Sequence, residues 1–175
     1  MTLEGKKVAF MVAEGVEDLE YYAVAMRLEE EGVIVLTAAM DLKSVKGKNG
    51  LEIKPDTKIE DLVADELFGL VLPGGWAPDK VRRYKEATDL VAKVNEQGKI
   101  IGIICHGGLL AISAKIVAGK KTVGSLGIKD DLLNAGATWV DEPAFRDGNQ
   151  VWGRVVADIP AFNRELVAAL KQAAA

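Results

Sequence analysis

The chain contains one cysteine, Cys105, and one histidine, His106, and the two are neighbours in the sequence. They follow the apolar run Ile100–Ile104 and precede Gly107-Gly108. The apolar run predicts a buried strand, and the glycines predict a sharp turn into a helix. Open α/β sheets place reactive side chains at the carboxyl ends of their strands. The pattern therefore predicts an activated cysteine nucleophile at a strand-to-helix turn.

The chemistry of this pair depends on the acidity of the thiol. A free cysteine has a pKa of about 8.5, which a helix amino terminus, a neighbouring imidazolium or a hydrogen-bonding carboxylic acid can lower. The alternative is that Cys105 is a small buried apolar residue without reactivity. His106 could be a general base, an orienting group or a surface residue, because neighbours on a regular strand point to opposite faces.

A second glycine turn and a cluster of acids add candidates. Pro73, Gly74 and Gly75 end the apolar segment that begins at Phe68. Such a turn either offers free N–H groups to an oxyanion or simply requires a positive φ. Acids also crowd the start of the first predicted helix: Glu14, Glu17, Asp18 and Glu20. One of them could face the cleft with a raised pKa, whereas the others would favour the helix dipole.

Apolar strand-like segments and helix-like segments alternate along the chain. Predicted strands cover Lys7–Val12, Val33–Ala38, Phe68–Leu72, Ile100–Ile104 and Thr122-Val123, and hairpins are predicted around Asn49-Gly50 and Asp147-Gly148. Predicted helices cover Asp18–Glu31, Glu86–Gln97, Leu109–Val117, Ile128–Ala135 and Asp158–Lys171. The first is expected to bury Leu19, Tyr22, Met26 and Leu28, with its acids on the other side. The order predicts an α/β fold, a mostly parallel sheet with helices on both faces.

Length and composition restrict the class of protein. The 175 residues, 49% of them hydrophobic, suit one globular domain that spans the chain. A net charge of −4 without basic blocks argues against nucleic acid binding, and no segment suits a membrane span or signal peptide. A single cysteine favours a reducing, cytoplasmic location, and no metal site is expected. Tryptophans 76, 139 and 152 are predicted to be core or interface anchors.

These motifs together resemble the PfpI-type intracellular proteases of the class I glutamine-amidotransferase-like superfamily, whose relatives include the Parkinsonism-associated protein deglycase and stress glyoxalases. The resemblance rests on segments spread over nearly the whole chain: Glu17–Glu20, Leu70–Gly75, Ala77-Pro78, Ile104–Gly107, Gly127–Asp131, Asn134–Gly136, Trp139–Asp141 and Asp147–Asn149. It implies a flavodoxin-like three-layer sandwich with a nucleophile elbow. It also implies a homo-oligomer, dimer or hexamer, with the site near a subunit interface and no cofactor.

The resemblance assigns roles to particular residues. Cys105 would be the nucleophile, Glu20 the acid that hydrogen-bonds its thiolate, and His106 its neighbour in the proteolytic proposal. Gly75 and His106 would supply oxyanion-hole N–H groups, and Asp79 would reach the histidine of a neighbouring subunit. Glu17, Gly74 and Ser125 would lie in the substrate pocket.

Three positions depart from the archaeal protease pattern. Asp79 replaces a glutamate, Ser125 replaces a tyrosine near the cleft, and Gly108 replaces a proline after the Cys-His-Gly motif. The nucleophile remains, but the substrate class is open.

Three functions are compatible with these residues. The leading prediction is an intracellular cysteine peptidase or hydrolase that acts as a stress protein, in which Cys105 attacks a peptide carbonyl and Asp79 of another subunit orients His106. The second is a cofactor-independent glyoxalase or deglycase acting on methylglyoxal, glyoxal or their early adducts, with Glu20 moving a proton. The third is a redox-sensing or chaperone-like stress protein whose thiol is oxidised rather than turned over.

Overall fold

A seven-stranded sheet forms the centre of the computed structural model, which describes residues 2–175. Its strands are β1 (Lys7–Met11), β2 (Ile34–Ala39), β5 (Thr57–Lys58), β6 (Gly69–Leu72), β7 (Ile100–Ile104), β10 (Ala144–Asp147) and β11 (Gln150–Gly153). They follow the order β10-β11-β7-β6-β1-β2-β5, and all neighbours are parallel except β10 and β11. The central strands are apolar and almost fully buried, as expected for a sheet covered on both faces.

Helices cover both faces of this sheet. They are α1 (Asp18–Glu30), α2 (Ala77–Val81), α3 (Lys85–Glu96), α4 (Gly108–Ser113), α5 (Lys129–Asn134) and α6 (Ile159–Ala173). Helices α1 and α6 contact each other, as do α3 and α4. Helix α6 buries Ile159, Phe162, Leu166 and Leu170, as its spacing predicts. The predicted α/β architecture is confirmed.

Two small strand pairs lie outside the main sheet. Strands β3 (Val45–Lys46) and β4 (Glu52–Ile53) form an antiparallel hairpin, and β8 (Lys121–Thr122) pairs in parallel with β9 (Thr138–Trp139). The turn of the first hairpin is held by the buried Asp18, whose carboxylate accepts the backbone N–H groups of Asn49 and Leu51 at 2.7 and 2.8 Å. The hairpin is thus fixed to the start of α1.

The structure corrects one expectation about α1. Leu19 and Met26 are 48% and 60% exposed, whereas Asp18 and Glu20 are buried. Leu28 is buried and Tyr22 half-buried as predicted, so the apolar spacing identified the core-facing side only in part, because two acids also turn inward, one to the hairpin and one to the strand ends.

Most observed boundaries lie within one residue of the prediction, but the end of α4 and two short elements differ. Helix α4 ends at Ser113, earlier than predicted, and Lys115 soon after it has a φ of 60°, which a right-handed helix does not allow. Short β5 and α2 had no prediction, since neither shows a periodic pattern long enough to detect.

Candidate active site

Cys105 lies at a strained turn directly after β7. Its φ of 58° is in the left-handed region, which costs a non-glycine residue about 1–2 kcal/mol. The residues Cys105–Gly107 form one turn of 3-10 helix, and α4 begins at Gly108. An added Cβ at Gly107 would overlap the carbonyl oxygen of Leu72, so only glycine allows β6 and this turn to approach so closely. The predicted nucleophile elbow is confirmed as a backbone feature.

Glu20 is the acid that lies beside Cys105. It is fully buried, and its Oε2 accepts the backbone N–H of Gly74 at 2.7 Å. Its Oε1 has no hydrogen-bond partner within residues 2–175. Burial raises the pKa of Glu20 to about 7, although hydrogen bonds with Gly74 and Cys105 act in the opposite direction. This carboxyl group can therefore bind or release a proton near neutral pH.

The thiol of Cys105 is less acidic than the sequence suggests. Burial and then the negative charge of Glu20 raise the pKa of Cys105 to about 12, while the N–H groups of His106 and Gly75 lower it. The sequence-based expectation of a lowered pKa is wrong for the state in which Glu20 is ionised. Because Glu20 and Cys105 are adjacent, the thiol can lose its proton to ionised Glu20 without an increase in the buried negative charge, which moves from the carboxylate to the sulfur.

His106 does face the cysteine. Its Nδ1 lies 3.3 Å from Cys105 Sγ, so the turn overcomes the opposite directions that neighbours have on a regular strand. Burial, and then the positive charge of Lys48, lower the pKa of His106. The ring is therefore neutral at pH 7, and an imidazolium is not the group that stabilises a thiolate here.

Glycines 74 and 75 allow α1, β6 and the Cys105 turn to meet. Gly75 has a φ of 74° and bridges to Val16. A Cβ at Gly74 would lie 2.6 Å from Glu20 Oε2 and 2.8 Å from Cys105 Cβ. Against the larger effect of burial, the N–H groups of Gly75 and His106 both lower the pKa of Cys105, so they lie where they can stabilise a thiolate, and their role as oxyanion-hole donors stays a prediction.

The other acids near α1 have structural partners. Glu17 is the N-cap of α1: its Oε2 accepts the N–H groups of Leu19 and Glu20 at 2.8 and 3.0 Å, and its Oε1 accepts Asn49 Nδ2 at 2.9 Å. Exposed Glu14 accepts the N–H of Lys46 in the hairpin. The fold thus shows that Glu20, and not Glu14, Glu17 or Asp18, is the acid beside Cys105, which the sequence alone could not decide.

A cavity of about 350 Å³ opens above these groups. Its walls are Glu17, Glu20, Lys48, Gly75, Trp76, Cys105, His106, Ser125 and Val155–Ala157. Gly74 lies behind the wall, in contact with Glu20 and Cys105. Lys48, Trp76 and the Val155–Ala157 segment carry no sequence motif and were not predicted to line the site. Trp76 is 61% exposed, so the core alternative predicted for it is wrong, whereas Trp152 is in the core.

Asp79 does not lie in this cavity. It is exposed on α2 and forms an ion pair with Arg83, one helical turn away. Within one chain the structure therefore does not bring Asp79 to His106. The inter-subunit contact that the resemblance implies stays a prediction.

The described residues offer no grouping of three or more histidine, cysteine or acidic side chains that could hold a metal ion. No helix within residues 2–175 is both long and apolar enough to span a bilayer.

Comparison with known proteins identifies the family. A model of the DJ-1/PfpI family matches residues 6–169. The chain belongs to the DJ-1/PfpI family. Its flavodoxin-like fold and the predicted family resemblance are thereby confirmed, and the protein is an enzyme.

Individual DJ-1/PfpI members are similar over almost their full length. Deglycase PH1704 of Pyrococcus horikoshii is 41% identical over 165 residues, which are 94% of this chain and 99% of that protein. YraA of Bacillus subtilis, which is named as a cysteine protease, is 35% identical over 167 residues, which are 95% of this chain and 99% of that protein.

A solved structure confirms the similarity of fold. A two-domain protein of Anabaena variabilis, with DJ-1/ThiJ/PfpI-like and ferritin-like domains, superposes with a TM-score of 0.93 and 33% identity. The match covers 95% of this chain but 48% of that protein, so the chain spans about half of its length.

Proposed function

We propose that the protein is a cofactor-independent glyoxalase or deglycase acting on small α-oxoaldehydes or their early adducts. One observation carries the proposal: a buried carboxyl group with a pKa near 7, Glu20, lies beside the single thiol in a cavity of about 350 Å³. A general acid–base group works best when its pKa is near the working pH. The cavity volume also suits a small carbonyl compound better than a peptide.

The first step is addition of Cys105 to the aldehyde of methylglyoxal. Sγ forms a bond to the aldehyde carbon while Glu20 accepts the thiol proton. The proton then passes to the new oxyanion, which gives a hemithioacetal. The N–H groups of Gly75 and His106 stabilise the oxyanion before it is protonated.

The second step moves a proton between adjacent carbons. Ionised Glu20 removes the proton from the former aldehyde carbon, and the resulting enediol is protonated at the neighbouring carbon. The product is a thioester of Cys105, and its hydrolysis by water releases lactate and the free thiol. The net reaction adds one water to methylglyoxal. An early amine adduct would enter this sequence when Sγ replaces the amine, which leaves unmodified.

The test is lactate production from methylglyoxal in the absence of glutathione. We expect turnover in the wild type, none in Cys105→Ala and a loss of at least about 100-fold in Glu20→Gln. Glu14→Gln is the matched control, because Glu14 belongs to the same first β-α unit but lies outside the cavity. Equal loss in Glu14→Gln, or undiminished turnover in Cys105→Ala, would refute the mechanism. Oxidation of Cys105 to sulfinate without any turnover would instead favour the redox-sensing alternative.

The second candidate is an intracellular cysteine peptidase, favoured by the contact of 3.3 Å between Cys105 Sγ and His106 Nδ1. In this mechanism His106 would protonate the leaving amine, and Asp79 of a neighbouring subunit would orient the ring. Asp79→Asn should then abolish peptide cleavage only in the assembled oligomer, while lactate production continues. Peptide cleavage that survives Asp79→Asn would exclude this role.

A further inference from the structure

Lys48 lies where the active-site cavity meets a second depression. It lines the cavity that contains Cys105 and also a neighbouring groove of about 510 Å³. The groove is bounded by Glu14, Gly15, Lys46, Gly47, Lys48, Asn49, Gly50, Trp76 and Lys80. Lys48 is the one lysine or arginine in the cavity wall that the described residues form. Neither the established family membership nor the proposed mechanism gives this side chain a role.

The backbone that carries Lys48 is fixed on both sides. Its own N–H donates to the carbonyl of Val16 at 2.8 Å. The adjacent turn is held by the buried carboxylate of Asp18, which accepts Asn49 and Leu51. An added Cβ at Gly47 would overlap this carboxylate. Although burial raises it, these hydrogen bonds lower the pKa of Asp18, so it remains charged and holds the turn at neutral pH.

The ammonium group of Lys48 has no partner of its own. Within residues 2–175 its Nζ takes part in no ion pair or side-chain hydrogen bond, whereas Lys80 Nζ donates to the carbonyl of Glu14 at 3.0 Å. Glu17, an acid in the same cavity wall, already uses both carboxylate oxygens on Leu19, Glu20 and Asn49. Burial has the larger effect on the pKa of Glu20 and of His106, and the positive charge of Lys48 acts across the cavity to lower both. No acid within residues 2–175 holds the ammonium group in an ion pair, however, so it is available to a ligand.

We propose that Lys48 is a specificity-determining residue that binds an anionic group, a carboxylate or phosphate, on the carbonyl substrate. Because Lys48 and Cys105 share one cavity wall, the anionic group lies at the mouth while the carbonyl reaches Sγ. The preferred substrates are therefore acidic carbonyl compounds or adducts of acidic molecules rather than neutral aldehydes. A larger substrate would extend into the groove beyond Lys48. This inference rests on the proposed role of Cys105 as the nucleophile.

Two alkylating reagents test this inference without any need for turnover. Iodoacetate and iodoacetamide react identically: Sγ forms a bond to the CH2 carbon, iodide leaves, and the thiol proton passes to a base. They differ in that one carries a carboxylate and the other a neutral amide. With only one cysteine in the chain, intact mass reports the alkylation of Cys105 alone. The measured quantity is the ratio of the iodoacetate rate to the iodoacetamide rate at pH 7.

Lys48→Met should lower this ratio about fivefold, the size expected for the loss of one partly solvated charge pair. The iodoacetamide rate should change much less. Lys46→Met is the matched control, because Lys46 is on the same hairpin and lines the groove but not the cavity. For that variant we expect a ratio within about 1.5-fold of wild type, since its charge is more distant and screened.

Three results would overturn the inference: an unchanged ratio in Lys48→Met, an equal fall in Lys46→Met, or equal falls in both rates. The last would show that Lys48 acts on the thiol and not on the substrate. Failure of the proposed function has a separate signature. If iodoacetamide does not react with the folded wild type, Cys105 is no nucleophile, whatever Lys48 does. For substrates, the same comparison uses an acidic and a neutral 2-oxoaldehyde, with kcat/KM as the readout.

Discussion

Replacement of Glu20 by glutamine should change how the stability of the protein depends on pH. The carboxyl group is fully buried, its Oε2 accepts the Gly74 N–H, and its Oε1 has no partner within residues 2–175. Glutamine has the same shape, and its carbonyl oxygen can accept the same hydrogen bond. The variant therefore removes the titration of this site with little change in packing.

The magnitude follows from the pKa of Glu20. Burial raises it from 4.5, its value in an unfolded chain, to about 7. Below pH 4.5 both states are protonated, so the group does not affect the free energy of unfolding. Between pH 4.5 and 7 the unfolded chain releases the proton while the folded protein keeps it, so stability falls as pH rises. At about 1.4 kcal/mol per pKa unit, the loss is about 3 kcal/mol and is complete above pH 7.

The assay is urea unfolding of both proteins at pH 4 and pH 8, at fixed protein concentration. The difference in unfolding free energy between Glu20→Gln and wild type should shift by about 3 kcal/mol in favour of the variant at pH 8. This comparison cancels the titration of other groups. Glu14→Gln controls for the removal of one charge from the same region and should shift by less than about 0.5 kcal/mol.

Parallel pH dependences in wild type and Glu20→Gln would refute the reasoning. They would mean that the carboxyl group has the same pKa in the folded and unfolded states. The acid–base role of Glu20 near pH 7 would then lose its physical basis, and the proposed carbonyl chemistry would need another proton carrier.

Three further changes test the rest of the site. Gly74→Ala should decrease the alkylation rate of Cys105 at pH 7 by at least about tenfold, because its Cβ would lie 2.6 Å from Glu20 Oε2. Gly127→Ala, whose Cβ would be 3.5 Å from the nearest atom, should leave that rate unchanged within twofold, and a comparable loss there would contradict the steric argument. Asp18→Ala should lower the unfolding free energy by about 2 kcal/mol in urea titrations at pH 7, and this difference should shrink below pH 3.8, where the unfolded acid is protonated. Asp79→Asn should change the unfolding free energy by less than about 0.5 kcal/mol, because its pair with Arg83 is exposed; a larger loss that depends on protein concentration would indicate a subunit contact.

The fold was predictable because its central strands are mostly apolar runs of four to six residues that alternate with helix-like segments along the chain. Strand β7 was predicted at its observed bounds, Ile100–Ile104, since five apolar residues between a glycine-ended helix and a glycine turn allow few alternatives. Helix α1 was predicted at almost its observed bounds, but two of its four predicted core residues, Leu19 and Met26, are exposed. Its buried acids instead accept backbone N–H groups of the turn before β4 and of the turn after β6, and local spacing carries no information on partners more than 30 residues away.

The candidate site was predictable only where a single residue type carried the signal. Cys105 and His106 are the single cysteine and the single histidine of the chain, so the amino-acid composition was enough to single them out. Lys48 and Trp76 are not the only residues of their type in the chain, and neither belongs to a recognisable sequence motif. They enter the cavity because the hairpin is tied to Asp18 and because Gly75 brings its turn against Val16. Both are long-range contacts that no local pattern reveals.

The electrostatics of the site explain why the reactive group must be a pair of residues rather than the thiol alone. Isolated in this cavity, the thiol of Cys105 would be unreactive at neutral pH, because burial disfavours its charged form. Burial has the same effect on Glu20, which therefore keeps a proton up to a pKa of about 7. Desolvation thus makes the Cys105 thiol a weaker acid and at the same time brings the pKa of Glu20, the base, close to neutral pH. When ionised Glu20 accepts the thiol proton, the thiolate forms without an increase in buried charge, because the pair of residues carries one negative charge before and after the transfer. Substitution of Glu20 should therefore lower the alkylation rate of Cys105 more at pH 7 than at pH 10, because at pH 10 hydroxide can deprotonate the thiol directly.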